Sequence, residues 1–118
     1  MKVTIRKKFS FDCAHHLPFL PAGHKCTRVH GHTYKGFVEF QGTPDENGIL
    51  IEYGRISAII DGIVDHRDLN TLEGLPTSTT ENIVVYLKKK FDELCERDIE
   101  VTWVRVKESK TTYAEIKK

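Results

Sequence analysis

Hydrophobic and polar residues alternate near both ends of the chain, whereas the middle carries the three-to-four-residue spacing of helices. Close to the N-terminus the hydrophobic residues lie two or four positions apart with charges between them: Val3, Ile5, Phe9 and Phe11. This alternation is typical of a strand with one buried face. We predict a strand over residues 2–11, with an irregularity at Lys7-Lys8.

A second strand is predicted from His30 to Phe40, where hydrophobic and polar residues alternate again. Residues 41–48 are dense in turn formers, including Pro44 and Gly48. The hydrophobic run at residues 49–51 then predicts a short returning strand, so this part of the chain favours a hairpin.

Two amphipathic helices are predicted in the middle of the chain. The first has the i, i+3, i+4, i+7, i+8 spacing at Ile56, Ile59, Ile60, Ile63 and Val64. We expect it to run from about Tyr53 to about His66. The second is expected to begin with a capping box formed by Ser78 and Glu81 and to continue through about Glu96. Its apolar stripe comprises Ile83, Val84, Leu87, Phe91 and Leu94.

The C-terminal part of the chain returns to strand patterns. Residues 99–106 read as a strand with both faces partly buried, Glu108 follows in phase with Val106, and residues 113–116 form a final strand. The order of elements predicts one α+β domain over residues 1–118, an antiparallel sheet of about four strands with two helices packed on one face. A small open sheet has exposed edges, which favours association with other copies.

Composition and charge limit the classes of function. The formal net charge of the 118 residues is +1, which gives no reason to expect a nucleic-acid or membrane partner. There is no apolar run of about 20 residues and no secretory h-region. The three cysteines are an odd, scattered set, so a disulfide framework is not expected and a cytoplasmic protein is the simpler interpretation.

Five of the six histidines are clustered in the N-terminal third of the chain, and three of them suit a metal site. His30 and His32 point to the same side if their segment is a strand, and His15 precedes them in the first strand. Three imidazoles without a thiolate are typical of a catalytic zinc site with one open position. Cys13 and His16 are competing ligands, and His24 lies on a loop nearby. The alternative is that His30 and His32 are exposed strand residues and His15 is a core histidine with a backbone partner.

Four further residues are candidates for proton chemistry. Cys26 could act as a base if a cation lies near its sulfur, although a free cysteine is more often a small buried hydrophobe. Asp65 and His66 could form a proton relay. Adjacent residues on a helix point about 100° apart, so the two must share a third group or lie beyond the helix end. Glu108 could bind a planar pair of N–H donors, or it could be a solvated residue at the end of a strand.

In combination these residues resemble the 6-pyruvoyl-tetrahydropterin synthase superfamily, and the matching segments extend across nearly the whole chain. They are Phe11-Asp12-Cys13-Ala14-His15, Leu17-Pro18, Gly23-His24-Lys25-Cys26, His30-Gly31-His32, Asp65-His66, Leu69-Asn70, Thr79-Thr80-Glu81-Asn82 and Val106-Lys107-Glu108.

The resemblance implies a tunnelling fold, assembled into trimers and then hexamers with shared active sites. It implies a zinc ion held by the three histidines, Cys26 as base, and Asp65 and His66 as its relay from a neighbouring subunit. It also implies that Glu108 anchors a pterin substrate and shares in proton relay. Lys25 and Arg28 are candidate triphosphate contacts or ordinary solvated charges.

The resemblance further implies a lyase acting on 7,8-dihydroneopterin triphosphate. The three-residue gap between Cys26 and His30 is similar to that of 6-carboxy-5,6,7,8-tetrahydropterin synthases of the queuosine pathway, which release acetaldehyde and triphosphate. The segment Thr79-Thr80-Glu81-Asn82 is closer to the 6-pyruvoyl branch, which is the alternative. A third branch replaces the cysteine with glutamate, and Cys26 argues against it. A zinc-bearing module that binds a pterin without converting it is the non-enzyme alternative.

Overall fold

A five-stranded, mostly antiparallel sheet forms the centre of the computed structural model, which describes residues 1–118. The strands are β1 (Val3–His15), β2 (His30–Gly42), β3 (Arg67–Asp68), β4 (Glu100–Lys107) and β5 (Tyr113–Lys117), in the order β3-β1-β2-β4-β5. The helices are α1 (Tyr53–Ile59), extended by a π-helical turn at Ile60–Val64, and α2 (Thr80–Asp92). Short 3₁₀ turns lie at Lys25–Thr27 and Leu69–Thr71. The predicted α+β class and antiparallel sheet are confirmed; β3 is an additional short strand.

The long β1–β2 ladder sets up the site. It runs in unbroken register from Val3 opposite Gly42 to His15 opposite His30. The predicted irregularity at Lys7-Lys8 is therefore wrong, and β1 continues four residues beyond the predicted end. That extension places His15 directly across from His30.

The β2–β4 pairing depends on a glycine. A Cβ built at Gly36 would lie 2.0 Å from the carbonyl oxygen of Arg105, an atom of the opposing backbone. Farther along the same pair, the register shifts between Glu39 and Phe40, as in a β-bulge.

Gly36→Ala is expected to destabilise the protein by about 3 kcal/mol, the upper part of the range for overpacking, because a backbone oxygen cannot rotate away. Urea unfolding measures the loss. Gly62→Ala is the matched control, because nothing lies within 4 Å of a Cβ at Gly62. Equal stability of both variants would contradict the close strand approach.

The first predicted helix ends two residues early. Its last turn is π-helical because the Asp65 N–H donates to the Ile60 carbonyl five residues back, at 3.0 Å. Ile60 and Val64 both stay buried in this wider turn. The chain then leaves the helix, since Asp65 has the extended values φ −69° and ψ 133°.

Helix α2 begins with a different cap from the predicted one. The Thr79 side chain accepts a hydrogen bond from the Asn82 N–H at 3.2 Å, so Thr79 and not Ser78 is the N-cap. Ser78 is 1% exposed, and its hydroxyl donates to the His16 carbonyl and to Asn70 Oδ1. The buried serine thus has partners elsewhere, which leaves the cap to its neighbour.

Residues 49–51 form a loop, so the predicted returning strand is wrong. Both edges of β2 are already occupied by β1 and β4, and no free edge remains for a hairpin partner. The Asp45 carboxylate instead accepts from the N–H groups of Asn47 and Ile49, and Gly48 takes φ 81°. Leu50 and Ile51 are buried.

One face of the sheet packs against the helices. Phe91 of α2 lies 5.9 Å from Phe9 and 6.2 Å from Phe40 between ring centroids, and Tyr34 stacks on Phe11 at 5.1 Å. Tyr34, Phe40 and Phe91 are fully buried.

Neither helix has the length and the apolar character that a membrane-spanning helix requires.

The opposite face of the sheet carries no helix and is lined by charged and aromatic side chains. Trp103 lies 5.0 Å from Phe37 between ring centroids, with the Arg6 guanidinium 4.8 Å and the Lys117 ammonium 3.8 Å from its ring. Its indole N–H donates to Glu115 at 2.9 Å. The chain's single tryptophan therefore lies outside the core.

Candidate metal centre

Three histidines converge at one end of the β1–β2 ladder. The ring centroids of His15, His30 and His32 lie 4.5 to 4.9 Å apart, and their candidate ligand atoms are all within 4.8 Å of one another. The extension of β1 supplies His15 from one strand, and the two-residue period of β2 directs the other pair to the same face. This spacing suits a single cation bound by imidazole nitrogens.

Backbone carbonyls orient two of the rings. His15 Nδ1 lies 2.8 Å from the Ser78 carbonyl oxygen, and His30 Nδ1 lies 2.8 Å from the Arg28 carbonyl oxygen. Each carbonyl accepts a hydrogen bond from Nδ1–H, which in a neutral ring leaves Nε2 with a free lone pair for a metal. Burial lowers the pKa of His15 and of His32, and this favours the neutral form that binds metal.

The third ring, His32, has a nitrogen that no group of the protein binds. His32 Nε2 is buried without a hydrogen-bond partner, and the nearest carboxylate oxygen, Glu108 Oε1, is 3.4 Å away. A buried unpaired ring nitrogen costs free energy unless something binds it. The donor set of three imidazoles, one with an orphaned nitrogen, therefore fits a zinc ion.

The competing ligands do not join this cluster. Cys13 is buried, and burial together with Asp12 raises the pKa of its thiol to about 12, which disfavours the thiolate that would bind metal. His24 is exposed, and its Nδ1 accepts from the Cys26 N–H at 3.1 Å. His16 Nδ1 is buried without a partner, but His16 does not belong to the group of converging ligand atoms.

Cys26 lies in the 3₁₀ turn at Lys25–Thr27 and is partly exposed. Its carbonyl accepts from the Leu17 N–H at 2.7 Å, which closes the loop between β1 and β2. Its sulfur lies outside the set of ligand atoms formed by the three histidines. The hydrogen bonds that hold the loop at this residue use its backbone N–H and carbonyl, and the side chain takes no part in them.

Glu108 lies beside the histidines, immediately after β4. Its Oε2 accepts from the Thr80 hydroxyl at 2.5 Å, while Oε1 faces His32. Thr80 is the first residue of α2 and is 9% exposed. The carboxylate is thus fixed at one oxygen between a helix start and the metal candidates.

Asp65 and His66 pair directly, because both lie beyond the helix end. Asp65 Oδ2 is 3.0 Å from His66 Nδ1, and Asp65 Oδ1 accepts from the Asp12 N–H at 2.9 Å. His66 takes the left-handed value φ 59°, which is rare for a non-glycine residue. Hydrogen bonds from the Asp12 N–H and from His66 lower the pKa of Asp65. The Asp65 carboxylate thus holds the His66 imidazole, whose side chain is 79% exposed.

The pair does not join the histidine cluster of its own chain. Asp65 and His66 group with Asp12, whose side chain is exposed, whereas His15 lies on the buried face of the same strand. The structure therefore brings Glu108 to the three histidines and places Asp65 and His66 in a separate cluster at the edge of β1.

The sequence patterns predicted no place in the site for three residues that organise this region. Asn70 bonds the backbone of His16 twice, at 2.8 and 2.9 Å, and Ser78 and Thr80 position His15 and Glu108. Asn70 and Thr80 belong to the segments Leu69-Asn70 and Thr79-Thr80-Glu81-Asn82, and Ser78 was predicted only as the cap of α2. A polar residue whose partner is a backbone carbonyl 63 positions away leaves no local pattern.

An antiparallel sheet backed by two helices, with a three-histidine cluster at the strand ends, defines a small α+β protein with a candidate metal centre. The family model described as 6-pyruvoyl tetrahydropterin synthase matches residues 4–118. The chain belongs to this family.

Named relatives come from both branches. The 6-carboxy-5,6,7,8-tetrahydropterin synthase of Synechocystis is 35% identical over 98 residues, covering 75% of this chain and 74% of the relative. A protein of Archaeoglobus fulgidus, which bears that name provisionally, is 39% identical over 113 residues, covering 92% and 90%. The structure of Caenorhabditis elegans 6-pyruvoyl tetrahydropterin synthase aligns with a TM-score of 0.78 at 25% identity, covering 100% of this chain and 96% of that one.

Proposed function

We propose that this protein is a zinc-dependent lyase that converts 7,8-dihydroneopterin triphosphate to 6-carboxy-5,6,7,8-tetrahydropterin, releasing acetaldehyde and triphosphate. The observation that carries the proposal is the cluster of His15, His30 and His32 with Glu108 beside it. The relatives named as carboxy synthases support this branch. The short gap between Cys26 and His30 supports it as well. We place the reaction in queuosine biosynthesis and the protein, as one domain, in the cytoplasm.

The three histidines would hold zinc, which supplies a Lewis acid that stabilises negative charge on a substrate oxygen. The backbone carbonyls of Ser78 and Arg28 keep two of the imidazoles oriented for this role. Burial excludes water from His15, which is 1% exposed.

Glu108 is the proposed anchor of the pterin ring. One of its oxygens is fixed by the Thr80 hydroxyl, and the carboxylate can accept from an amino group and a neighbouring ring N–H. This contact would direct the substrate side chain toward the histidines, since Glu108 Oε1 lies 3.4 Å from His32 Nε2. Glu108 would also share in moving a proton.

Cys26 is the proposed base that takes a carbon-bound proton, and Asp65 and His66 relay that proton onward. Within one chain the relay pair lies in a cluster apart from the histidines. We therefore infer that the relay serves the site of a neighbouring copy. His66 is exposed and has a strained backbone, which is consistent with a side chain that contacts a neighbouring copy.

The sheet edges support assembly into trimers and hexamers. On its outer edge β1 pairs with β3 only at Cys13 and Ala14, and the backbone of Asp12 bonds Asp65 and His66, so residues 3–11 leave backbone groups free there. The outer edge of β5 is free as well. Antiparallel pairing of such edges between copies would satisfy both.

Incubation with 7,8-dihydroneopterin triphosphate and chromatography of the products tests the function. Formation of 6-carboxy-tetrahydropterin with acetaldehyde is the expected result. A 6-pyruvoyl product would support the second branch, which the segment at residues 79–82 and the structural likeness to the nematode enzyme favour. Binding without conversion would support the pterin-binding module.

Shared active sites predict complementation between two inactive variants. When Cys26→Ala and His66→Ala chains are refolded together, about a quarter of the sites should combine an intact base with an intact relay from a neighbour. Turnover of the mixture measures this recovery, and sedimentation of the wild type reports the assembly. Each variant assembled alone is the control.

If base and relay came from the same chain, every chain of the mixture would be defective and no activity would return. A fully active species sedimenting at 13.6 kDa would contradict the assembly itself.

A further inference from the structure

Three lysines surround a cleft on the uncovered face of the sheet. Lys35, Lys107 and Lys110, together with Thr33 and Ser109, line a concavity of about 330 Å³. The lining contains no hydrophobic residue and no carboxylate. A second cleft of about 550 Å³ adjoins it and shares Lys107 and Lys110.

The lysines have no counter-charge. Lys35 and Lys107 are directly opposite each other on β2 and β4, an arrangement in which like charges destabilise a sheet. None of the seven ion pairs of the protein includes Lys35, Lys107 or Lys110. The carboxylate of Asp12, on the neighbouring strand, forms no ion pair with these lysines. It accepts a hydrogen bond from the Thr33 hydroxyl at 2.5 Å.

The lysine cluster adjoins the proposed relay. The cleft that contains Asp12 and His66 has a volume of about 610 Å³ and meets the lysine cleft at Thr33, which lines both. Thr33 lies opposite Asp12, and Lys35 is the next residue of β2 on the same face, about 7 Å farther along the strand. One continuous surface therefore runs from the relay imidazole to the unpaired ammonium groups.

We propose that Lys35, Lys107 and Lys110 bind the triphosphate group of the substrate. Ammonium groups and hydroxyls are suitable donors to phosphate oxygens, and a compact anion of several charges would relieve the repulsion between Lys35 and Lys107. The inference rests on the proposed function, since it makes the same chain supply the relay and the phosphate contacts to a neighbour's metal centre.

A linear oligophosphate fits these features better than a nucleic acid does. The cluster is a small concavity with hydroxyl groups, and the rest of the chain carries enough acidic residues to bring the net charge to +1. A nucleic-acid surface requires an extended basic track.

Calorimetric titration with inorganic triphosphate tests the site without any turnover. The wild-type protein should bind triphosphate more tightly than orthophosphate, and Lys107→Gln/Lys110→Gln should weaken triphosphate binding at least about tenfold. The double variant should also raise KM for dihydroneopterin triphosphate more than it lowers kcat. Lys89→Gln is the matched control, because Lys89 is exposed on α2 and has no ion pair.

The double variant should melt no lower than the wild type, since Lys107→Gln removes a destabilising like-charge pair. Unchanged triphosphate affinity in the double variant would overturn the inference, as would a loss confined to Lys25→Gln/Arg28→Gln. If lysine-dependent triphosphate binding is observed but no pterin product forms, the proposed function fails and the anion site remains.

Discussion

Cys26→Ala is expected to abolish turnover while leaving the metal and the fold in place. Removing a general base costs about 10²–10⁴ in rate. The hydrogen bonds made by residue 26 come from its backbone N–H and carbonyl, so the loop should survive the loss of the sulfur. The sulfur also lies outside the cluster of ligand atoms. Turnover of dihydroneopterin triphosphate, zinc content and melting temperature together measure the outcome.

Cys95→Ala is the control for this variant. Cys95 is partly buried just after α2, with its sulfur 3.9 Å from the Phe91 carbonyl oxygen, so its loss should reduce stability slightly and leave turnover unchanged. Near-normal turnover of Cys26→Ala would remove the cysteine from the mechanism. A parallel loss of zinc would instead make it a ligand.

His30→Ala is expected to strip the protein of zinc. Two imidazoles cannot replace three, so the affinity should fall by more than the roughly 10–100-fold that loss of an outer hydrogen bond costs. His30 is only partly buried, so the cavity left behind should reduce stability modestly. The measurement is zinc per chain after dialysis against a weak chelator, with activity recorded on the same samples.

His24→Ala provides the matched comparison, because His24 lies on the loop that leads to β2 but outside the cluster. It should retain zinc. An unchanged zinc content in His30→Ala would exclude that residue from the ligand set, and loss of zinc in His24→Ala would show that the exposed loop contributes a ligand.

Alternation and helical spacing were sufficient to predict the main elements of the fold. The strands around β1, β2 and β4 and both amphipathic helices carry periodic patterns that each follow from one buried face. The wrong predictions have causes outside any local pattern. Residues 49–51 are as hydrophobic as a strand, but β2 has no free edge for them. The first helix ends early because of the π-helical turn that closes on Asp65.

The candidate site also has a part that follows from local patterns and a part that depends on the packed structure. His30 and His32 are predictable together because a strand has a period of two, and His15 joins them once β1 is extended. The direct contact of Asp65 with His66 depended on the backbone leaving the helix at that point, which a spacing argument left open. The contact of Thr80 with Glu108 joins residues 28 positions apart in sequence, and only the packed structure reveals it.

The position of Trp103 turns an ordinary spectroscopic measurement into a test of association. Its indole lies on the helix-free side of the sheet, between two cationic groups and hydrogen-bonded to Glu115. Salt weakens those ion contacts and dilution would separate the copies of the proposed assembly, so the emission of this protein should respond to both before the interior unfolds. A fluorescence transition should therefore precede the calorimetric one, and the interval between the two would give the range over which subunits come apart without unfolding.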